Sequence, residues 1–180
     1  TTLETNTATA STTKDTVGPV VSAPADITVA AVDANGTPAT DTAIASFLSS
    51  ASAVDAGDGV VSVANDAPAV FQIGATTVTF SAVDSLGNTG SSSAVVTVED
   101  QTPPVITVED ATVAATDASG TLATAADIVA FLDSATVEDN VDANVTVTND
   151  APDAFPIGAT VVTFTATDSA ELTATATATL

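Results

Sequence analysis

Phe71-Gln72-Ile73-Gly74-Ala75-Thr76-Thr77-Val78-Thr79-Phe80 returns 84 residues further on as Phe155-Pro156-Ile157-Gly158-Ala159-Thr160-Val161-Val162-Thr163-Phe164. In each copy the last valine and the last phenylalanine stand two apart, the period of a strand with one buried face. Thr and Val dominate the stretch, and β-branched side chains suit a pleated, half-buried surface. A repeat of this length is too long for one solenoid unit and close to the ~100 residues of an immunoglobulin-like sandwich. The stretch therefore predicts an all-β chain made of two tandem copies of one immunoglobulin-like β-sandwich.

Working outward, the same offset joins Asn65-Asp66-Ala67-Pro68 to Asn149-Asp150-Ala151-Pro152 and Asp84-Ser85 to Asp168-Ser169. Asp15 and Pro19 match Asp100 and Pro104 one residue later, so the second copy has lost a residue in its first strand. Domains are expected at 15–99 and 100–180, joined by Glu99-Asp100-Gln101-Thr102-Pro103-Pro104. The two prolines predict a short, extended linker. Residues 1–14 belong to neither copy. Their Thr/Ala/Ser alternation resembles Thr173–Thr179, which suits either the tail of a preceding domain or an arm donated to a neighbour by strand addition.

Alternation places strand A at Val20–Ser22, B at Ile27–Ala31, C at Val60–Val63, E near Phe71–Ile73, F at Thr77–Val83 and G around Ala94, Val96 and Val98. One short helix is expected between B and C. Ile44, Phe47 and Leu48 form an i, i+3, i+4 stripe behind Thr40 or Asp41 as cap. Ile128, Phe131 and Leu132 follow Thr124 in the same way. The helix reads as a lid over the sandwich.

Composition excludes more than it suggests. The chain has 180 residues, 23 acids, one base (Lys14), a formal charge of −22, and no His, Cys, Met, Trp or Tyr. Without His no side chain titrates near neutrality in its unperturbed state. Without Cys there is no thiol nucleophile, disulfide or thiolate metal site. Nucleic acid needs basic side chains to neutralise phosphates and is excluded as a partner. No apolar run approaches the ~20 residues of a membrane helix, so no membrane insertion is expected. Strong negative charge keeps long polymers soluble. The chain reads as extracellular and not as an enzyme. Asp41-Thr42-Ala43 and Asp168-Ser169-Ala170 look like an aspartic-protease element, but Asp41 becomes Ala125 in the second copy and a helix start explains it better. Asn35-Gly36-Thr37 and Asn144-Val145-Thr146 read as chance glycosylation sequons in a Thr-rich chain.

The candidate site comes from topology. If strand A runs up, B down, C up, F down and G up, the turn before C and the F–G turn meet at the lower pole beside the entry segment. That pole collects Asp15, Asp55, Asp58 and Asp84 in the first copy. In the second it collects Asp100, Asp139, Asn140, Asp142 and Asp168, facing Glu99 where the first domain ends. Crowded carboxylates repel one another, and a cation removes that cost. An all-oxygen set on flexible loops suits Ca²⁺. Mg²⁺ keeps its waters, and softer metals prefer ligands this chain lacks.

As a set, Asp15 to Val20, Pro24 to Val29, Asp55 to Gly59, Phe71 to Phe80 and Asp84 to Thr89 resemble the hyalin repeat (HYR) domain. The resemblance implies an immunoglobulin-like fold and extracellular adhesion, in a style similar to long bacterial surface proteins. Departures are the absence of cysteine, a longer helical insert, and Ala170-Glu171-Leu172 in place of Leu86-Gly87-Asn88, which predicts a different F–G turn in the second copy. The leading reading is a calcium-stiffened structural repeat of a bacterial adhesin or filament, with neighbouring copies end to end as partners. The alternatives are a self-polymerising fibre subunit using residues 1–14 and a carbohydrate-binding or accessory module of a secreted protein. The sequence names no surface ligand or glycan.

Overall fold

In the computed structural model, which describes residues 14–180, β-branched alternation becomes strands and the two apolar stripes become helices. The 1–14 arm lies, apart from Lys14, outside the described residues. The first half runs β1 (Val20–Ser22), β2 (Ile27–Ala30), β3 (Thr37–Pro38), α1 (Thr42–Ser49), β4 (Ser52–Asp55), β5 (Gly59–Val61), β6 (Val63–Asn65), β7 (Val70–Phe71), β8 (Gly74–Val83) and β9 (Thr89–Glu99). The second half runs β10 (Val105–Thr107), β11 (Thr121–Leu122), α2 (Ala126–Leu132), β12 (Thr136–Glu138), β13 (Thr146–Asn149), β14 (Ala154–Phe155), β15 (Val161–Thr167) and β16 (Thr173–Thr179). The class is all-β with two short helices. Among the described residues, no helix is long and apolar enough to cross a membrane.

In the first half one sheet has the order β1-β4-β5 and the other β2-β9-β8-β6, with a small β3-β7 pair. The core lies between them. Val78 and Phe80 of β8 and Val96 and Val98 of β9 are fully buried, and Val21 of β1 packs onto them. The second half repeats this with β13-β15-β16 opposite β10-β12 and with β11-β14 as the small pair. Its core is built on Val162, Phe164, Phe155, Ile128, Phe131 and Ala178. Each helix drives one phenylalanine edge-on into the core. The ring of Phe47 lies 5.7 Å from that of Phe80, and Phe131 lies 5.8 Å from Phe164.

The helix between β2 and β5 stands where its stripe predicts, but the strands around it differ from expectation. The 27–31 segment does not run down. β2 pairs parallel with β9, Ile27 opposite Val96 and Ala30 opposite Glu99. The downward strand is β4, just after the helix, antiparallel to both β1 and β5. Its four residues carry too little alternation to stand out. The single strand expected at Val60–Val63 splits at Ser62, leaving β5 in one sheet and β6 in the other. Because β4 takes over the downward role, the β4–β5 turn and the β8–β9 turn still meet at the lower pole.

The two helix starts are unequal. Asp41 caps α1, its Oδ1 accepting from the N–H of Ala43 at 2.9 Å and of Ile44 at 3.4 Å. In α2 the cap position is Ala125, with no side-chain bond, and Thr124 does not replace it.

Candidate metal centres at the lower corners

At the first corner, carboxylate oxygens of Asp15, Asp55 and Asp84 all lie within 4.8 Å of one another. Asp55 ends β4, Asp84 follows β8, and Asp15 leads into β1. Asp55 and Asp84 are buried. Asp55 Oδ1 accepts from the N–H of Gly57 at 2.8 Å and of Asp58 at 3.1 Å, the habit of an Asp folding its own turn. Gly57 lets the entry segment close in: a Cβ there would stand 2.8 Å from Asp15 Oδ2. Burial opposes the charge on Asp84. Hydrogen bonds from the Asn88 side chain and from the N–H groups of Asn88, Leu86 and Gly87 outweigh it and hold the carboxyl below its usual range.

At the second corner the group is Asp100, Asp142 and Asp168, again within 4.8 Å. Asp142 accepts from the Ser169 N–H at 2.8 Å, and the Ser169 hydroxyl donates to the same carboxylate. These bonds hold its pKa low against the opposing effect of burial. Asp58 holds Ser85 in the same way at the first corner. Of the four acids that the sequence places at each corner, three form the close group. Asp58 and Asp139 lie outside the two groups, turned to Ser85 and to the N–H groups of Val141 and Asp142. Glu99 is exposed and lines the groove between the halves beside Asp100.

Asn140 serves the joint. Its Nδ2 donates to Ala31 O at 3.0 Å and Val32 O at 3.3 Å, both in the first half. The adjacent Val141 packs against the first core. The matching residues of the first copy are Ala56 and Gly57, which offer neither amide nor branched side chain.

The β15–β16 turn does not differ in shape, contrary to the expectation from Ala170-Glu171-Leu172. Asp168 N–H reaches Leu172 O at 3.1 Å, as Asp84 N–H reaches Asn88 O at 3.0 Å. Glu171 adopts the left-handed φ of 65° that Gly87 takes at 87°. The difference lies in one amide. Asn88 Nδ2 donates to Asp84 Oδ2 at 2.6 Å and to Asp15 O at 3.3 Å. The Leu172 side chain has nothing to donate, and the Leu172 N–H goes to Asp168 Oδ1, at 2.8 Å. Asp168, only 7 % exposed, is left with a buried Oδ2 that has no hydrogen-bond partner. Oδ2 of Asp100 and of Asp139 are likewise buried and unpartnered. The Asn88-to-Leu172 exchange is visible in the aligned copies, but its consequence needs the turn geometry.

Residues 99–180 match the model of the HYR domain family. The second half is HYR-like. The HYR-like pattern continues through the first half by the internal repeat. The chain is 33 % identical over 172 residues to hyalin of Lytechinus variegatus, an alignment covering 92 % of this chain and 31 % of hyalin. The chain thus spans about a third of that relative's length. It is also similar to a solved structure of protocadherin gamma B7 extracellular cadherin domains 1–4, at 17 % identity and a TM-score of 0.36, covering 91 % of this chain and 49 % of that one. A score that low does not bear on the architecture.

Proposed function

We propose that the chain is a spacer segment of an extracellular adhesin or filament. HYR-like modules at 15–99 and 100–180 are strung end to end, and Ca²⁺ at the lower corner of each module stiffens the joint to its predecessor. The Cys-free, acidic, Thr-rich composition supports a bacterial surface protein. One observation carries the metal: three buried carboxylate oxygens, on Asp100, Asp139 and Asp168, lack any donor. An unsatisfied buried acceptor is costly, and an unpaired buried charge more so. Two of the three belong to the group within 4.8 Å. The donors are all oxygen, with no nitrogen or sulfur ligand nearby, which fits a hard cation of flexible coordination. When bound, Ca²⁺ supplies the positive charge that lets these carboxylates stay ionised together.

The joint corner has the greater demand, because Asn88 already satisfies Asp84 at the first corner. Asn140 and Val141 hold the loop against the first half, so an ion gathering Asp100, Asp142 and Asp168 ties the linker to the β15–β16 turn. The test is thermal melting of the described protein in calcium and in chelator. At a dissociation constant of ~10⁻⁴ M and calcium at ~10⁻² M, binding adds about 2.7 kcal/mol. Identical melting curves in the two buffers would remove the metal from the account.

A further inference from the structure

The acids of the second corner are set in place through the backbone of one residue of the first half, Ala31. Its N–H donates to Glu99 O at 2.7 Å, which fixes the chain just before Asp100. Its carbonyl accepts from Asn140 Nδ2 at 3.0 Å, and the same amide reaches Val32 O at 3.3 Å. Asn140 stands between Asp139 and Asp142 in a loop tied to itself: Asp139 Oδ1 accepts from the N–H groups of Val141 and Asp142, both at 2.8 Å. Val141 packs against the first core, so the loop is held at two points. Asp142 in turn holds the N–H of Ser169, the neighbour of Asp168, at 2.8 Å. Asp100, Asp142 and Asp168 thus each trace back to Ala31 through hydrogen bonds and near covalent neighbours. The seat itself is firm. Ala31 is buried and continues the parallel pairing of β2 with β9, and Val32 N–H closes on Gly36 O at 3.1 Å.

The first corner is closed in another way. There Asn88 Nδ2 joins Asp84 Oδ2 to Asp15 O, all within one half. The second copy has Leu172 in place of Asn88, and carries an amide instead at Asn140, where the first copy has Ala56. One side-chain amide serves each corner, from inside the half at the first and from across the joint at the second. The exchange also leaves the buried Asp168 with an Oδ2 that has no donor, inside the group of three acids.

We propose that the second corner is a composite cation site, in which Asn140 is a positioning residue that makes calcium affinity depend on docking to the first half, whereas the first corner binds without such help. This rests on the calcium reading of the corners. Carboxylates already held in place bind an ion more tightly than carboxylates it must gather, because less ordering remains to be done. Residues that orient ligands without touching the metal typically change its affinity by about 10–100-fold. The coupling runs both ways: the factor by which docking tightens the ion is the factor by which the ion tightens docking. Calcium then governs how firmly the two halves hold one another, and it does so through Asn140.

The test is a calcium chloride titration of the 180-residue chain followed by nuclear magnetic resonance. The amides of Gly57 and Ser169 report the two corners separately, since each donates to a carboxylate of its own corner. Asn140→Ala should weaken calcium at the second corner about tenfold and leave the first unchanged. Val141→Ser removes the apolar contact with the first half, touches no carboxylate, and should weaken the same corner. Unshifted core amides in both variants should show that both fold. Residual dipolar couplings should give the two halves of the parent one common alignment in calcium and separate alignments in chelator. In Asn140→Ala the alignments should stay separate at calcium concentrations that unite them in the parent. Weakening of both corners alike, or of neither, would overturn the proposal and leave the calcium reading standing. Alignments indifferent to calcium would overturn it too. A parent in which neither corner responds to calcium would remove the calcium reading and this inference with it.

Discussion

Replacing Leu172 by Asn isolates the role of the unpartnered oxygen at the joint. The β15–β16 turn already has the geometry of the β8–β9 turn, in which Asn88 reaches Asp84 Oδ2 at 2.6 Å. An amide at 172 is therefore in position to donate to Asp168 Oδ2. Leu172 is partly exposed and is not among the residues packed in the second core, so little apolar burial is lost. A buried acceptor without a donor costs about 1–3 kcal/mol, and the substitution should recover about that amount when no cation is bound. For a unit of this size each kcal/mol moves the midpoint by about 4–8 °C. The expected result in differential scanning calorimetry is a second-half transition several degrees higher in chelator. In saturating calcium the ion already serves the same oxygen, and the gain should vanish or reverse. An equal shift in both buffers would mean that the oxygen and the cation site are unrelated. No shift in either would mean that the oxygen finds water and costs nothing.

Ala125→Asp should give α2 the cap that Asp41 gives α1, raising stability by about 1 kcal/mol in a denaturant melt followed by circular dichroism. Glu171→Gly should release a left-handed residue, for which a non-glycine side chain costs about 1–2 kcal/mol, less the entropy glycine adds to the unfolded chain. The net gain of about 0.5–1 kcal/mol should appear mainly as slower unfolding. Acid should act through Asp84 and Asp142, whose folded pKa values lie below the usual 3.8. A depressed folded pKa contributes stability above the unfolded value and loses it as pH falls through the folded one. Urea midpoints should hold steady down to about pH 5 and drop below about pH 4. In Asp142→Asn that drop should shrink.

Local pattern was enough for much of this molecule. The two-fold repeat, the long strands β8, β9, β15 and β16, the helix stripes with Phe47 and Phe131, and the placement of acids in turns all follow from periodicity and turn chemistry, which a short window of residues carries. Partnership was another matter. That β2 lies parallel to β9, that Ser52–Asp55 forms the missing downward strand, and which three acids per corner come within 4.8 Å of one another depend on residues far apart in the chain. Asn140 resembles any other loop residue until the first half's carbonyls at Ala31 and Val32 come within reach. The aligned copies already show Leu172 where Asn88 stands, yet its meaning, a buried carboxylate oxygen without a donor, exists only once the turn closes over Asp168. Alternation along a strand is a property of the chain itself, whereas hydrogen-bond satisfaction and strand direction are properties of what the chain packs against, and only the tertiary structure supplies those.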